Sequence, residues 1–221
     1  MPEEINRRVV DAVASVWCVP TEACRANLLR EGADERRIHV VGYTQGEVLR
    51  SIAASINAIS LLNQLRLNND RYVVMTIHRQ ENTDDFGRLT AIIESIEQID
   101  MPVVWFIHPR TQRRIEEFGL KTRLLQMSRL HIEQPTGYLS FLSLLSKSTV
   151  VITDSGGVQT EAAMLGIPCV VTRECTEQRE CVEAGATILT GTDTLAIVKA
   201  VEAANVAAAR GLKPAQVYPP M

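Results

Sequence analysis

From Arg71 onward, apolar runs of strand length alternate with stretches of helical spacing, and this alternation constrains the fold more than any other feature of the chain. Tyr72–Ile77 (YVVMTI) is a short, largely β-branched strand pattern. Phe86–Ile99 then places Leu89, Ile92, Ile93, Ile96 and Ile99 on one helix face, with Asp84 or Asp85 as its cap. Val103–Ile107, Leu130–Ile132, Val150–Thr153, Cys169–Thr172 and Ala186–Leu189 read as further strands. Gln112–Phe118, Tyr138–Leu145, Val158–Leu165 and a last segment, capped by Asp193 or Thr192 and running to Ala209, read as helices. The polar stretches between them (HRQENTDD, HPRT, DSGG) read as turns. Strands that are apolar without alternation are buried on both faces, which implies a parallel sheet between helices: an α/β, doubly wound, Rossmann-like domain. Ligands of such sheets sit beyond the carboxyl ends of the strands, so HRQEN, HPRT, TDSGG and RECTEQRE are expected to share one crevice.

The first 70 residues are less complete. Val13–Val19 and Arg37–Val41 read as strands, Thr21–Arg30 as a helix capped by Thr21, and Gly42–Leu67 as a mostly helical connector. One βαβ unit is too small to build its own core. The expected division is therefore residues 1–41 as the remnant of a first Rossmann-like domain, 42–70 as a connector and 71–221 as the complete domain. The net charge of −3 gives no electrostatic footprint for nucleic acid or an anionic membrane, and no apolar run approaches a membrane span. Cys18, Cys24, Cys169, Cys175 and Cys181 are odd in number and lack C-x-x-C spacing, so they read as reduced thiols of a cytoplasmic protein.

The strongest local signal is Asp154-Ser155-Gly156-Gly157-Val158-Gln159-Thr160-Glu161. Glycines let a ligand approach the backbone, and the following helix offers unpaired N–H groups and the positive end of its dipole, which suits a phosphate or diphosphate. A plain Gly-Gly turn is the alternative. Glu161, one turn on, is placed to accept from ribose hydroxyls or to be a solvated carboxylate. His78 and His108 end two successive strands, where an imidazole can donate to phosphate or move a proton. Arg79 can pair an anion. Phe141 can stack on a base or fill the core, and Arg173, Glu177, Arg179 and Glu180 form either a sugar–pyrophosphate loop or a solvated one. A serine hydrolase built on Ser155, His78 and Asp154 is disfavoured, because G-x-S-x-G is missing and Asp154 adjoins Ser155 instead of orienting a histidine. A metal site of His78, His108, Asp154 and Glu161 stays open, without H-x-x-x-H spacing to support it.

Taken in order, MPEEINR (Met1–Arg7), HR-x-EN (His78–Asn82), HPRT (His108–Thr111), GY-x-x-F (Gly137–Phe141), TDSGG-x-Q-x-E (Thr153–Glu161), R-x-x-TE-x-x-E-x-x-E-x-G (Arg173–Gly185) and GTD (Gly191–Asp193) resemble the non-hydrolysing UDP-N-acetylglucosamine 2-epimerase family, over about its second half. The resemblance implies the C-terminal domain of a GT-B architecture (UDP-glycosyltransferase/glycogen phosphorylase-like). It implies interconversion of UDP-GlcNAc and UDP-ManNAc by loss of the C2 proton, elimination of UDP and its re-addition, in the cytoplasm, for cell-envelope polysaccharide synthesis. No metal or nicotinamide cofactor is implied, and intact members are expected to be homodimers. Carried onto this chain, Ser155, Gly156 and Gly157 hold the diphosphate, Glu161 the ribose and Phe141 the uracil, with His108 near the base. His78 and Glu3 are the catalytic residues, while Arg79, Arg173 and Glu177 bind phosphate or sugar.

Two departures stand out. Gln178 replaces the arginine of the family's TERPE, with Arg179 beside it as a substitute. The family's N-terminal G-T-R-P-E and H-V-E-A-G segments have no counterpart, so the chain is expected to be a truncated UDP-binding half, inactive alone, whose missing domain is supplied elsewhere. The rival expectations are a GT-B glycosyltransferase donor domain and a non-catalytic nucleotide-sugar-binding module.

Overall fold

A computed structural model describes residues 2–52, 59–67, 71–214 and 217, with Pro2, Glu3 and residues 59–61 described only in their backbone. Residues 53–58 and 68–70 of the expected connector lie outside the described residues, as does the side chain of Glu3. The chain divides into two compact units, Met1–Ser51 and Ile52–Met221.

In the first unit, α1 (Pro2–Val13) precedes β1 (Trp17–Val19), α2 (Glu22–Arg30) and β2 (Ile38–Val40). The expected strand Val13–Val19 is thus shortened at its start, because the helix of the MPEEINR segment runs through Val13. The two strands pair in parallel, Trp17 opposite Ile38, over a small core of Val19, Leu28 and Ile38. Thr21 caps α2 as expected, accepting from the Cys24 N–H at 3.2 Å. Arg37 lies 4.7 Å from the Trp17 ring centre and donates to the Ala14 and Ser15 carbonyls, tying the end of α1 to β2. Then come α3 (Thr44–Ile52) and, in the second unit, α4 (Ile59–Gln64).

The second unit contains β3 (Val73–Thr76), α5 (Gln80–Thr83), α6 (Phe86–Gln98), β4 (Val103–Phe106), α7 (Pro109–Glu117), α8 (Lys121–Leu125), β5 (Leu130–Glu133), α9 (Tyr138–Lys147), β6 (Val150–Thr153), α10 (Gly156–Leu165), β7 (Cys169–Val171), α11 (Arg179–Glu183), β8 (Thr187–Leu189) and α12 (Thr194–Ala209). Its six strands are all parallel, in the order β5-β4-β3-β6-β7-β8. This is the doubly wound Rossmann order, with the reversal between β3 and β6. Val73, Met75, Val103, Trp105, Val150 and Ile152 face a core shared with Leu89, Ile92, Ile93 and Ile96 of α6 and Ile197 and Val201 of α12. Val74, Val104 and Val151, of opposite parity, are equally buried, so both faces are covered. None of the five cysteines is in a disulfide. No helix among the described residues is long and apolar enough to cross a membrane.

Three segments read as turns are the starts of helices. HRQENTDD contains α5, HPRT opens α7 with His108 as N-cap and Pro109 in the first turn, and the glycines of DSGG form the first turn of α10 behind Ser155. α7 and α10 carry their own start signals, the His108 cap with Pro109 and the Ser155 cap, whereas α5 starts behind Arg79 without a side-chain cap. Asp85 caps α6 and Asp193 caps α12.

Tyr72 fixes the amino end of β3 against α9, since its buried hydroxyl donates to the Leu144 carbonyl at 2.7 Å. That carbonyl belongs to the last turn of α9, where no intrahelical donor remains. Tyr72→Phe is expected to cost about 1–2 kcal/mol, read as a lower urea midpoint at unchanged slope.

Candidate functional site

Where β3 and β6 lie side by side, Thr76 opposite Thr153, the connections leave to opposite sides of the sheet and open a crevice beyond the strand ends. At its floor is Asp154, the first residue after β6 and fully buried. Its carboxylate accepts from the backbone N–H of His78 (3.1 Å to each oxygen), the backbone N–H of Arg79 (2.9 Å) and the side-chain amide of Asn82 (3.1 Å). A buried carboxylate is tolerable only with such partners. Asn82 also donates to the Thr172 carbonyl at 3.1 Å and accepts from Arg88, while the Arg79 Nε donates to the Asp154 carbonyl at 3.0 Å. One aspartate and one asparagine therefore join the carboxyl ends of β3, β6 and β7.

The His78 Nδ1 lies 3.3 Å from Asp154 Oδ1. This corrects the expectation that Asp154 does not orient a histidine; adjacency of β3 and β6, far apart in sequence, brings it there. With Nδ1 turned to the carboxylate, Nε2 is the imidazole atom left to face the crevice. The His108 ring lies 5.7 Å away, centre to centre, and its Nδ1 accepts from the Arg110 N–H as the α7 cap. The four-residue metal site left open by the sequence is not assembled: among the described residues no three His, Cys, Asp or Glu side chains converge as ligands do.

Ser155 caps α10 through a long 3.5 Å contact from the Val158 N–H, so its hydroxyl is weakly committed. Gly156 and Gly157 occupy the first turn of α10, where amide N–H groups have no intrahelical acceptor. Across from them is Arg173, whose side chain is only 2% exposed. It donates to both oxygens of Glu177, at 2.9 and 3.1 Å, with Glu81 Oε1 3.3 Å from its Nε. Arg79 Nη2 lies 3.8 Å from Glu177, and a Cβ at Gly156 would sit 3.8 Å from Glu177 Oε2. The Arg173 guanidinium holds the Glu177 carboxyl below the usual carboxylate range. Gln178 starts α11 as its N-cap without a side-chain cap bond.

Glu161, on α10, is buried and accepts from the Tyr138 hydroxyl at 2.9 Å. Burial raises its carboxyl above the ordinary glutamate value, opposed by the Tyr138 hydrogen bond. Tyr138 is itself pushed up to about 12, first by desolvation and then by Glu161. Phe141, one turn further along α9, meets Phe106 edge-on with ring centres 5.4 Å apart.

His78, Arg79, Ser155, Gly156, Arg173 and Glu177 are thus linked by direct contacts or through Asp154, and His108 through His78. Asn82, Glu81 and Tyr138 are participants to which sequence reasoning gave no role, and Asp154 was weighed only as a hydrolase or metal residue, not as the anchor of the HR-x-EN turn. Asp154 was the findable one, because the doubly wound order places the residue after the fourth strand beside the turn after the first.

The fold defines a doubly wound, Rossmann-like class of α/β domain. A family model described as UDP-N-acetylglucosamine 2-epimerase matches residues 1–218. The chain belongs to that family. It is 41% identical over 210 residues to a UDP-N-acetylglucosamine 2-epimerase of Methanocaldococcus jannaschii, covering 91% of this chain and 57% of that protein. It is 40% identical over 199 residues to the UDP-2,3-diacetamido-2,3-dideoxy-D-glucuronate 2-epimerase of Pseudomonas aeruginosa, covering 86% and 52%. The crystal structure of the Methanocaldococcus jannaschii enzyme in complex with UDP-GlcNAc and UDP superposes with a TM-score of 0.84 at 41% identity, covering 92% of this chain and 57% of that one. The chain therefore spans little more than half the length of these relatives.

Two stability outcomes follow from the geometry. Asp154→Ala strands several buried donors and is expected to cost about 3 kcal/mol or more in denaturant unfolding. A raised Glu161 holds its proton to higher pH in the folded than in the unfolded chain, so stability falls as pH rises from the ordinary glutamate range through the raised value. Glu161→Gln removes that loss. Its stability gain over the wild type should grow as pH rises above about 4 in unfolding curves, and a constant difference would contradict this.

Proposed function

We propose that this chain carries the UDP-binding half of a UDP-N-acetylglucosamine 2-epimerase acting on UDP-GlcNAc and UDP-ManNAc. The observation that carries the reading is the convergence of a buried arginine, Arg173, with the glycine-lined first turn of α10 at the strand-order reversal. Backbone N–H groups at a helix start, a second arginine in Arg79 and the Ser155 hydroxyl offer a diphosphate what it requires: preorganised donors and positive charge. Glu161 has spare acceptor capacity for ribose hydroxyls, Phe141 offers an aromatic edge for uracil, and His108 borders the base.

In the reaction, the C2 proton leaves, the C1–oxygen bond to UDP breaks, and a 2-acetamidoglucal forms. UDP then adds back at C1, and a proton returns to C2 from the opposite face. His78, held through Nδ1 by Asp154, presents Nε2 to the departing diphosphate, and Glu3 belongs to the carboxylates that move the C2 proton. A buried arginine counters the charge that grows on UDP as the bond breaks. We assign the intact enzyme to the cytoplasm as a homodimer.

Calorimetric titration tests the reading. UDP is expected to bind the chain more tightly than uridine, and Arg173→Ala is expected to weaken UDP about tenfold or more while leaving uridine unchanged. Equal affinity for UDP and uridine, or no binding of either by the folded chain, would contradict it.

A further inference from the structure

The side chain nearest to being a phosphate in this crevice belongs to the protein. Glu177 presents both carboxylate oxygens to Arg173, at 2.9 and 3.1 Å, in the bidentate geometry that a guanidinium also offers to phosphate. Arg79 approaches the same carboxylate to 3.8 Å. The contact is continuous with the first turn of α10, since Glu177 Oε2 lies 3.8 Å from the position of a Cβ on Gly156. Two cations and a helix start thus converge on one carboxylate. Arg173 is fixed by its burial, its side chain being 2% exposed, with Glu81 as a second carboxylate 3.3 Å from an Nε that makes no hydrogen bond. It has little freedom to leave this position for a ligand. Glu177 is half exposed and sits on the segment between β7 and α11, so it is the mobile partner of the pair.

We propose that the Glu177 carboxylate is an internal competitor for the diphosphate of the ligand, held by the same donors that bind the diphosphate, so that Glu177 sets the affinity and charge selectivity of the site. The proposal rests on the UDP-binding reading above, and it gives Glu177 a different part from the substrate-binding role expected from the sequence. A ligand with the charge of a diphosphate takes over Arg173 and Arg79 and turns Glu177 outward. A neutral nucleoside leaves the pair in place. The apparent affinity of an anion is then reduced by the fraction of molecules in which Glu177 holds the arginines.

The test titrates UDP, inorganic pyrophosphate and uridine into the wild type, Glu177→Gln and Glu177→Ala, each first checked for cooperative unfolding. The competitor predicts that both variants bind UDP and pyrophosphate about two- to fivefold more tightly, the worth of one partly exposed ion pair, with uridine unchanged. UDP binding by the wild type that is equal or weaker in both variants would overturn the competitor and leave the UDP reading intact. Pyrophosphate tightening in the variants, with no UDP binding by any of the proteins, would uphold the competitor and remove the UDP reading. Binding of neither ligand by any folded protein would overturn both.

Discussion

A carboxylate that must be buried and must be satisfied organises the second unit. Asp154 follows the central strand β6 and has no access to water, so its charge is supported only by what the neighbouring strand end supplies. Two consecutive backbone N–H groups from the turn after β3, the Asn82 amide and the His78 ring provide that support. The same bonds set the path of the HR-x-EN turn, start α5, and point an imidazole and an arginine toward the crevice. The chemistry-bearing residues of β3 and β6 therefore depend on one another's geometry. Neither turn is shaped alone.

Around that anchor the charges are local. The chain has a net charge of −3, yet the crevice collects Arg79, Arg88 and Arg173 within reach of its floor. Each arginine is engaged, with Glu177, Glu81, Asn82 or the Asp154 carbonyl. Such pairing keeps guanidinium groups in place at the cost of competing with any incoming anion. Glu161 shows the complementary arrangement: a buried acceptor on α10, held by the Tyr138 hydroxyl from α9. Positive donors gather at the helix start and an acceptor lies one turn further in, matching a ligand with an anionic part and a hydroxyl-bearing part.

Much of the fold was legible because its strands carry one simple instruction. YVVMTI, VVWFI and VVIT have no polar face, which excludes an exposed sheet and requires helices on both sides. The carboxyl ends of the strands were located to within a residue or so, and with them His78, His108 and Ser155. Helix starts hidden in polar segments were not legible as helices. Capping by His108 and Ser155 and the proline start of α7 give little hydrophobic periodicity to read. The amino-terminal helix was missed for a related reason: Ile5, Val9, Val10 and Val13 follow helical spacing, but charged residues dominate the segment between them. The Asp154–His78 contact joins residues 78 and 154, and only the strand order shows that they are neighbours.

The proposed function requires that ligand recognition happen at the Asp154-organised ends of β3 and β6. A map of UDP binding by backbone amide NMR on the full chain tests it most directly. The largest shift changes are expected on Ser155, Gly156, Gly157 and Val158 at the start of α10, on His78 and Arg79, and on Arg173. Shift changes centred instead on the amino ends of the strands, near Val103 and Leu130, would contradict it.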